Sequence, residues 1–195
     1  MATIAFTSTE LAALAGQVAA LIGAPPVVTP PVITPPAPGT FWVYQAGKFN
    51  WESDYSWNAN INYFNTVGKA GGTCISVTIT APNGGFQPFA QGKKFDVSPY
   101  KYLTYSVKPT LANAIFATGF AAINDVPDGP QGGVVVVSPG LTKYGPAPQI
   151  GVWGTYKVPL ADFGLTNLLV QKFTIADGTG VGSNLYYVDN IGFTP

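Results

Sequence analysis

The sequence predicts an all-β domain, a two-sheet β-sandwich or jelly roll, preceded by a short α-helix and an extended polyproline II linker. Three observations predict it. From Thr40 onward, apolar and polar residues alternate with period two in short runs. Gly and Pro, 23 and 18 of 195 residues, cut those runs apart, with turn signals at Pro82-Asn83-Gly84-Gly85, Asp128-Gly129-Pro130, Ser138-Pro139-Gly140 and Asp177-Gly178. No helical period longer than two turns follows residue 40; Leu160-Ala161-Asp162-Phe163-Gly164 allows one turn at most. Many short strands joined by tight turns close into a sandwich or jelly roll.

Residues 1–24 form the first element. Thr7-Ser8-Thr9-Glu10 has capping-box spacing, in which a hydroxyl and a carboxylate satisfy the free amides of a helix start. Leu11, Leu14, Val18 and Leu21 follow at the spacing of an a/d seam, alanines fill the other faces, and Gly23 followed by Pro25 stops the helix near residue 22. So short a helix is marginal alone in water, and this one has no charged outer face, so it needs a partner surface. The seam predicts anchoring or oligomerisation, with a trimer favoured because Leu at both a and d does not pin a dimer. A secretory signal peptide is the rival reading, but nothing before Lys48 is basic. The apolar stretch Leu11 to Ile22 is too short to span a bilayer.

Residues 25–39 are a pentad repeat, Pro-Pro-Val-Val-Thr, Pro-Pro-Val-Ile-Thr, Pro-Pro-Ala-Pro-Gly. Proline fixes φ and removes amide donors, so the segment reads as a stalk, about 45 Å long if fully extended. A ligand for a proline-recognition domain is the alternative, but no basic residue flanks the repeat.

Residues 40–195 carry the β pattern. Strands are expected at 41–44, 61–64, 73–80, 86–90, 102–108, 115–123, 133–138, 151–159, 169–176 and 185–193. Alternation sends Leu103, Tyr105 and Val107 to one side of their strand, and it separates Leu185, Tyr187, Asp189, Ile191 and Phe193 from Val188, Asn190 and Gly192. Trp153, at the opening of a strand, reads as a packing residue.

Composition removes several kinds of chemistry. Nine Lys, nine acidic residues, no Arg and no His give a net charge of zero. Nucleic acid is not an expected partner, because a phosphate binder needs a basic surface and no guanidinium fork exists here. Without His there is no imidazole base, no His-activated nucleophile and no His-ligated zinc. Cys74 is the single cysteine and sits in an apolar β-branched run, so it reads as a buried small hydrophobe.

Three stretches resemble the jelly-roll carbohydrate-binding modules of the galactose-binding-like superfamily. Val43-Tyr44 followed by Trp51-Glu52-Ser53-Asp54-Tyr55-Ser56-Trp57 resembles their first hairpin. Phe95-Asp96-Val97-Ser98-Pro99-Tyr100 through Lys108 resembles their sheet-crossing strand. Trp153-Gly154-Thr155-Tyr156 through Phe163, with Tyr186-Tyr187-Val188-Asp189-Asn190-Ile191, resembles their closing strands. The resemblance covers nearly all of 41–193 and implies a non-catalytic sugar-binding fold. Sugar recognition needs flat aromatic faces and nearby amides or carboxylates, which makes Trp51, Tyr55, Trp57 and Asn58 candidates, with Trp51 and Tyr55 expected to be exposed, and Tyr144 a second platform. No cofactor is required. The resemblance leaves room for a structural calcium with Asp189 among its ligands, although Gln45 stands where the family often carries an acidic residue. Glu52-x-Asp54 matches half of the carboxylate array of jelly-roll glucanases, and Trp57 stands where the third carboxylate belongs, so no enzyme is expected.

Helix, stalk and module in that order resemble phage virion surface parts such as capsid decoration proteins, head fibres and tail-fibre tips. That implies adhesion to a surface polysaccharide, docking to other virion proteins through the helix, and a place on the virion. The rivals are a structural cement that binds no sugar and a secreted or cell-surface polysaccharide-binding module.

Overall fold

The computed structural model describes residues 39–51, 53–90, 94–121, 130–166 and 168–195, and the backbone of Val32 and Ile33. The chain divides into Met1–Pro30 and Pro31–Pro195. The expected helix, with Leu11, Leu14, Val18 and Leu21, lies outside the described residues, as does most of the expected stalk.

The strands, in chain order, are β1 (Val32–Ile33), β2 (Phe41–Gln45), β3 (Lys48–Phe49), β4 (Ser53–Asp54), β5 (Ala59–Asn65), β6 (Cys74–Ile79), β7 (Gly85–Phe86), β8 (Pro88–Phe89), β9 (Lys94–Asp96), β10 (Tyr102–Pro109), β11 (Phe116–Ala121), β12 (Pro130–Val137), β13 (Gly154–Pro159), β14 (Leu169–Val170), β15 (Lys172–Asp177) and β16 (Asn184–Thr194). Each run expected from the sequence contains a strand: the one from 86 begins at Gly85 and divides into β7 and β8 at Gln87, the one from 169 divides into β14 and β15 at Gln171, and the one from 151 begins at Gly154. The short strands β3, β4 and β9 escaped the periodicity because two or three residues are too few to display one. Leu160–Phe163 forms a single 3-10 turn, ended by Gly164.

The first sheet runs β13-β10-β16, after which the long β16 pairs with β2 near its end and with β6 near its start; β3 and β5 complete those two branches. The second sheet runs β12-β11-β15-β8-β4, with β7 beside β15. At Val32–Ile33 the Pro-rich stretch departs from the expected free stalk, because these residues pair in parallel with Lys94 and Phe95 of β9. Val and Ile have the amide donors and β-branched shape that a ladder accepts, which their proline neighbours lack.

The facing sides of the two sheets make one apolar core. Two buried tyrosines tie the layers: Tyr105 on β10 hydrogen-bonds Thr118 on β11 at 2.8 Å, and the Tyr186 hydroxyl on β16 donates to the Ile175 carbonyl on β15 at 2.6 Å. The single alternation expected along β16 is corrected by a bulge. Tyr186 and Val188 point inward, and so do Ile191 and Phe193, because the pairing with β10 jumps from Ser106–Asp189 to Thr104–Gly192. Asn190, at φ 49°, takes the extra residue, and one extra residue reverses which side faces the core.

Candidate functional site

The outer face of the second sheet gathers aromatic rings beside a floor of small residues. Beyond β4 the chain continues as an edge: the Tyr55 amide donates to the Gln87 carbonyl at 2.9 Å, and Trp57 exchanges backbone hydrogen bonds with Gly85 at 3.2 and 3.0 Å. Period two therefore places Tyr55 and Trp57 on one side, about 7 Å apart along the strand. Trp57 lies over Gly85; a Cβ there would stand 2.7 Å from its Cη2 and 3.0 Å from the Ala176 Cβ. Gly85 leaves the room that the indole edge occupies against the sheet. The Trp57 Nε1 donates to the Asn83 carbonyl at 2.6 Å, which fixes the ring plane, and the side chain remains 37% exposed.

Tyr55, 55% exposed, meets Phe89 edge-on at 4.6 Å between centroids, and the Lys172 Nζ stands 5.6 Å from the Tyr55 ring centroid. Further across, Ala117 pairs with Ala176 and Gly119 with Thr174, giving a low floor bounded by Val134 and Val136 of β12. Gln87 donates through Nε2 to Thr174 Oγ1 at 2.9 Å, so a carboxamide and a hydroxyl lie between aromatics and floor. Flat rings, a shallow floor and a few fixed polar groups can hold the apolar face and hydroxyls of a pyranose.

The sequence cluster from Trp51 to Asn58 is divided by the fold. Trp51 is corrected from an exposed platform to a core residue: it is 2% exposed and packs among Phe95, Phe173 and Phe193 at 6.1, 5.4 and 6.4 Å. Its charged and polar successors misled the reading, because Ser53 and Asp54 face a sheet edge while the indole turns inward. Tyr55 and Trp57 lie on one side of the same edge. Asn58 is exposed at φ 48°, and its Nδ2 donates to the Pro82 carbonyl at 3.2 Å, so it holds the turn beside Trp57. Asn60 belongs to β5 in the other sheet. Tyr144 is not part of this face: its carbonyl accepts the Lys157 amide of β13 at 2.8 Å, its ring packs on the core, and Lys143 Nζ lies 5.0 Å from the ring centroid. Gln87, Phe89, Lys172 and Thr174 were missed, although they alternate with apolar residues in the strands expected at 86–90 and 169–176.

Asp54 and Asp189 are engaged elsewhere. Asp54 accepts the Ser56 amide and the Tyr63 hydroxyl, each at 2.7 Å, and burial with the Asp54 contact pushes the Tyr63 hydroxyl far above its ordinary range. Asp189 accepts the Lys69 amide at 2.9 Å with Oδ2 and the Asn190 amide at 2.7 Å with Oδ1. Among the described residues no three carboxylate, His or Cys groups gather. A calcium ion wants six to eight oxygens, and a carboxylate spent on two amides without acidic neighbours does not fit that role. Asp189 instead clamps the 66–73 loop onto β16. A hollow of about 460 Å³ where β10 meets the 3-10 turn is walled by Tyr100, Tyr102, Leu160, Leu165 and Leu168, with no carboxylate in its lining.

No family model matches the chain, and no curated protein does. Solved structures do. The family 11 carbohydrate-binding module of the cellulosomal cellulase Lic26A-Cel5E of Clostridium thermocellum aligns at TM-score 0.56 and 18% identity, over 82% of this chain and 96% of that one. The family 30 module of the cellulosomal cellulase Cel9D-Cel44B of the same organism aligns at TM-score 0.57 and 14% identity, over 80% and 96%. A variant of a family 29 carbohydrate-binding module complexed with cellulohexaose aligns at TM-score 0.55 and 12% identity, over 80% and 89%. At these identities the likeness is one of fold: the described domain has the jelly-roll architecture of carbohydrate-binding modules.

Proposed function

We propose that this domain is a non-catalytic glycan-binding module that holds a polysaccharide chain against the outer face of the second sheet. The observation that carries the reading is the pairing of Trp57, its ring packed over Gly85, with the exposed Tyr55 two residues away on the same edge. Gln87 and Thr174 supply hydrogen bonds to hydroxyls. The fold shared with carbohydrate-binding modules supports the same conclusion. The broken carboxylate array and the commitment of Asp54 to Tyr63 and Ser56 support a binding role over hydrolysis.

The wider setting proposed for it is display on a virion surface, as a capsid decoration, head-fibre or tail-fibre part. That reading rests on the sequence order of helix, Pro-rich segment and module. Trimeric assembly through Leu11, Leu14, Val18 and Leu21 would convert weak single-site contacts into avidity.

Native affinity electrophoresis of the full chain through a panel of soluble polysaccharides, bacterial surface polymers included, tests the binding reading. At least one polymer is expected to retard the protein, and Trp57→Ala or Tyr55→Ala to weaken retention about tenfold, the order of one lost aromatic contact. The urea midpoint should stay within the range of a surface substitution. Retardation by no polymer would favour the structural cement, with the jelly roll kept as architecture alone.

A further inference from the structure

On the opposite face of the sandwich, the first sheet carries lysines in a row. Leu103, Tyr105 and Val107 point into the core, so Tyr102, Thr104, Ser106 and Lys108 point outward; on β13 the same alternation turns Thr155 and Lys157 outward. Lys157, opposite Thr104, places its Nζ 4.0 Å from the Tyr102 ring centroid. At the next step Lys69, reaching in from its loop, donates to Ser106 Oγ at 3.3 Å and to Thr155 Oγ1. One step further Lys108 lies 5.6 Å from the ring centroid of Tyr187, its partner on β16. Three ammonium groups thus share one face, each beside a successive outward position of β10: Lys157 over Tyr102, Lys69 at Ser106 and Lys108 over Tyr187. None of the three has a carboxylate partner among the described residues; the nearby Asp189 is spent on two backbone amides. In a chain of zero net charge, these three ammonium groups share a face with one buried carboxylate, that of Asp189, and the net charge of the strip is positive.

We propose that this strip is a second binding face, for a carboxylate-bearing polysaccharide such as a polyuronate, independent of the aromatic face on the second sheet. Ammonium point charges attract carboxylates without needing the planar fork of an arginine. Hydroxyls of Thr104 and Thr155 lie between them for the hydroxyls of the sugar. The geometry disfavours a nucleic acid: lysine ammoniums already lie over the rings of Tyr102 and Tyr187, which single-stranded bases would need for stacking, and the chain has no arginine.

The test is affinity electrophoresis of the full chain in gels with polygalacturonate, a neutral glucan or single-stranded DNA, each mobility referred to a polymer-free gel so that altered charge cancels. Polygalacturonate is expected to retard the parent protein, and the Lys108→Ala, Lys157→Ala double variant to bind it about tenfold more weakly, as two exposed ion pairs imply. Retention should collapse near 1 M salt, where screening acts within about 3 Å. The double variant should bind the neutral glucan as the parent does, and Trp57→Ala should leave polygalacturonate retention intact. Absence of retardation by polygalacturonate, equal retention of the double variant, or equal retardation by DNA would overturn the proposal. Loss of polygalacturonate retention in Trp57→Ala would overturn it too, by moving the acidic polymer to the aromatic face.

Discussion

Replacing Trp51 with alanine removes the largest ring at the centre of the sandwich and separates a packing role from a binding one. The indole is 2% exposed and touches Phe193 of the first sheet, Phe173 of the second and Phe95 of β9. Burying roughly 200 Å² of ring at about 25 cal/mol per Å² is worth about 5 kcal/mol. The Nε1–H has no hydrogen-bond partner, so its removal returns about 1–2 kcal/mol of desolvation cost. Trp51→Ala should therefore cost about 3–4 kcal/mol, within the span measured for large aromatic truncations in cores. Trp51→Phe keeps a ring and discards the unpaired N–H, so its cost should be about 1–2 kcal/mol. Urea unfolding followed by circular dichroism reads both, and glycan retention is measured at urea concentrations where each variant is fully folded. A Trp51→Ala penalty below about 1 kcal/mol, or lost retention in the folded variant, would refute the reasoning and return Trp51 to the surface.

Two further outcomes are expected. Gly132 sits at φ 85°, and an added Cβ would collide with the carbonyl oxygen of Phe163 in the 3-10 turn, so Gly132→Ala should lower stability by more than about 2 kcal/mol in the same urea assay. Alkaline pH should unfold the domain: burial pushes the Cys74 thiol up to about 11 and Tyr156 up to about 12, and raises Tyr105 and Tyr186 further, so the folded state holds protons that the unfolded chain gives up from about pH 9. The stability these groups contribute is full below pH 9 and falls as pH rises toward 11, which urea midpoints at several pH values will show, together with a Cys74 that a thiol reagent modifies at pH 8 only when urea is added.

Much of the β framework was legible because it follows from local rules. Period-two runs and Gly or Pro breaks placed the long strands β6, β10, β11, β13 and β16, and the isolated helical turn at Leu160 appeared as one turn of 3-10 helix. The same rules failed where the partner strand decided. The bulge at Asp189 and Asn190 leaves no mark in the run Leu185 to Phe193, since apolar residues stand at both parities, and only pairing with Ser106 and Thr104 reveals the jump. The ladder of Val32 and Ile33 with β9 is similarly a property of a strand more than sixty residues away.

The candidate site divides along the same line. By itself the sequence determined that no imidazole or guanidinium chemistry is available and that the domain is an all-β sandwich, because composition and backbone alternation are local quantities. Tertiary structure alone decided that Trp51 is core, that Gly85 makes the seat for Trp57, that Gln87 and Thr174 join it, and that three lysines from two strands and a loop align on the far face. Which face of a strand meets water depends on what the opposite sheet covers, and neighbours across a sheet come from distant parts of the chain, so neither is written in the order of residues along one strand.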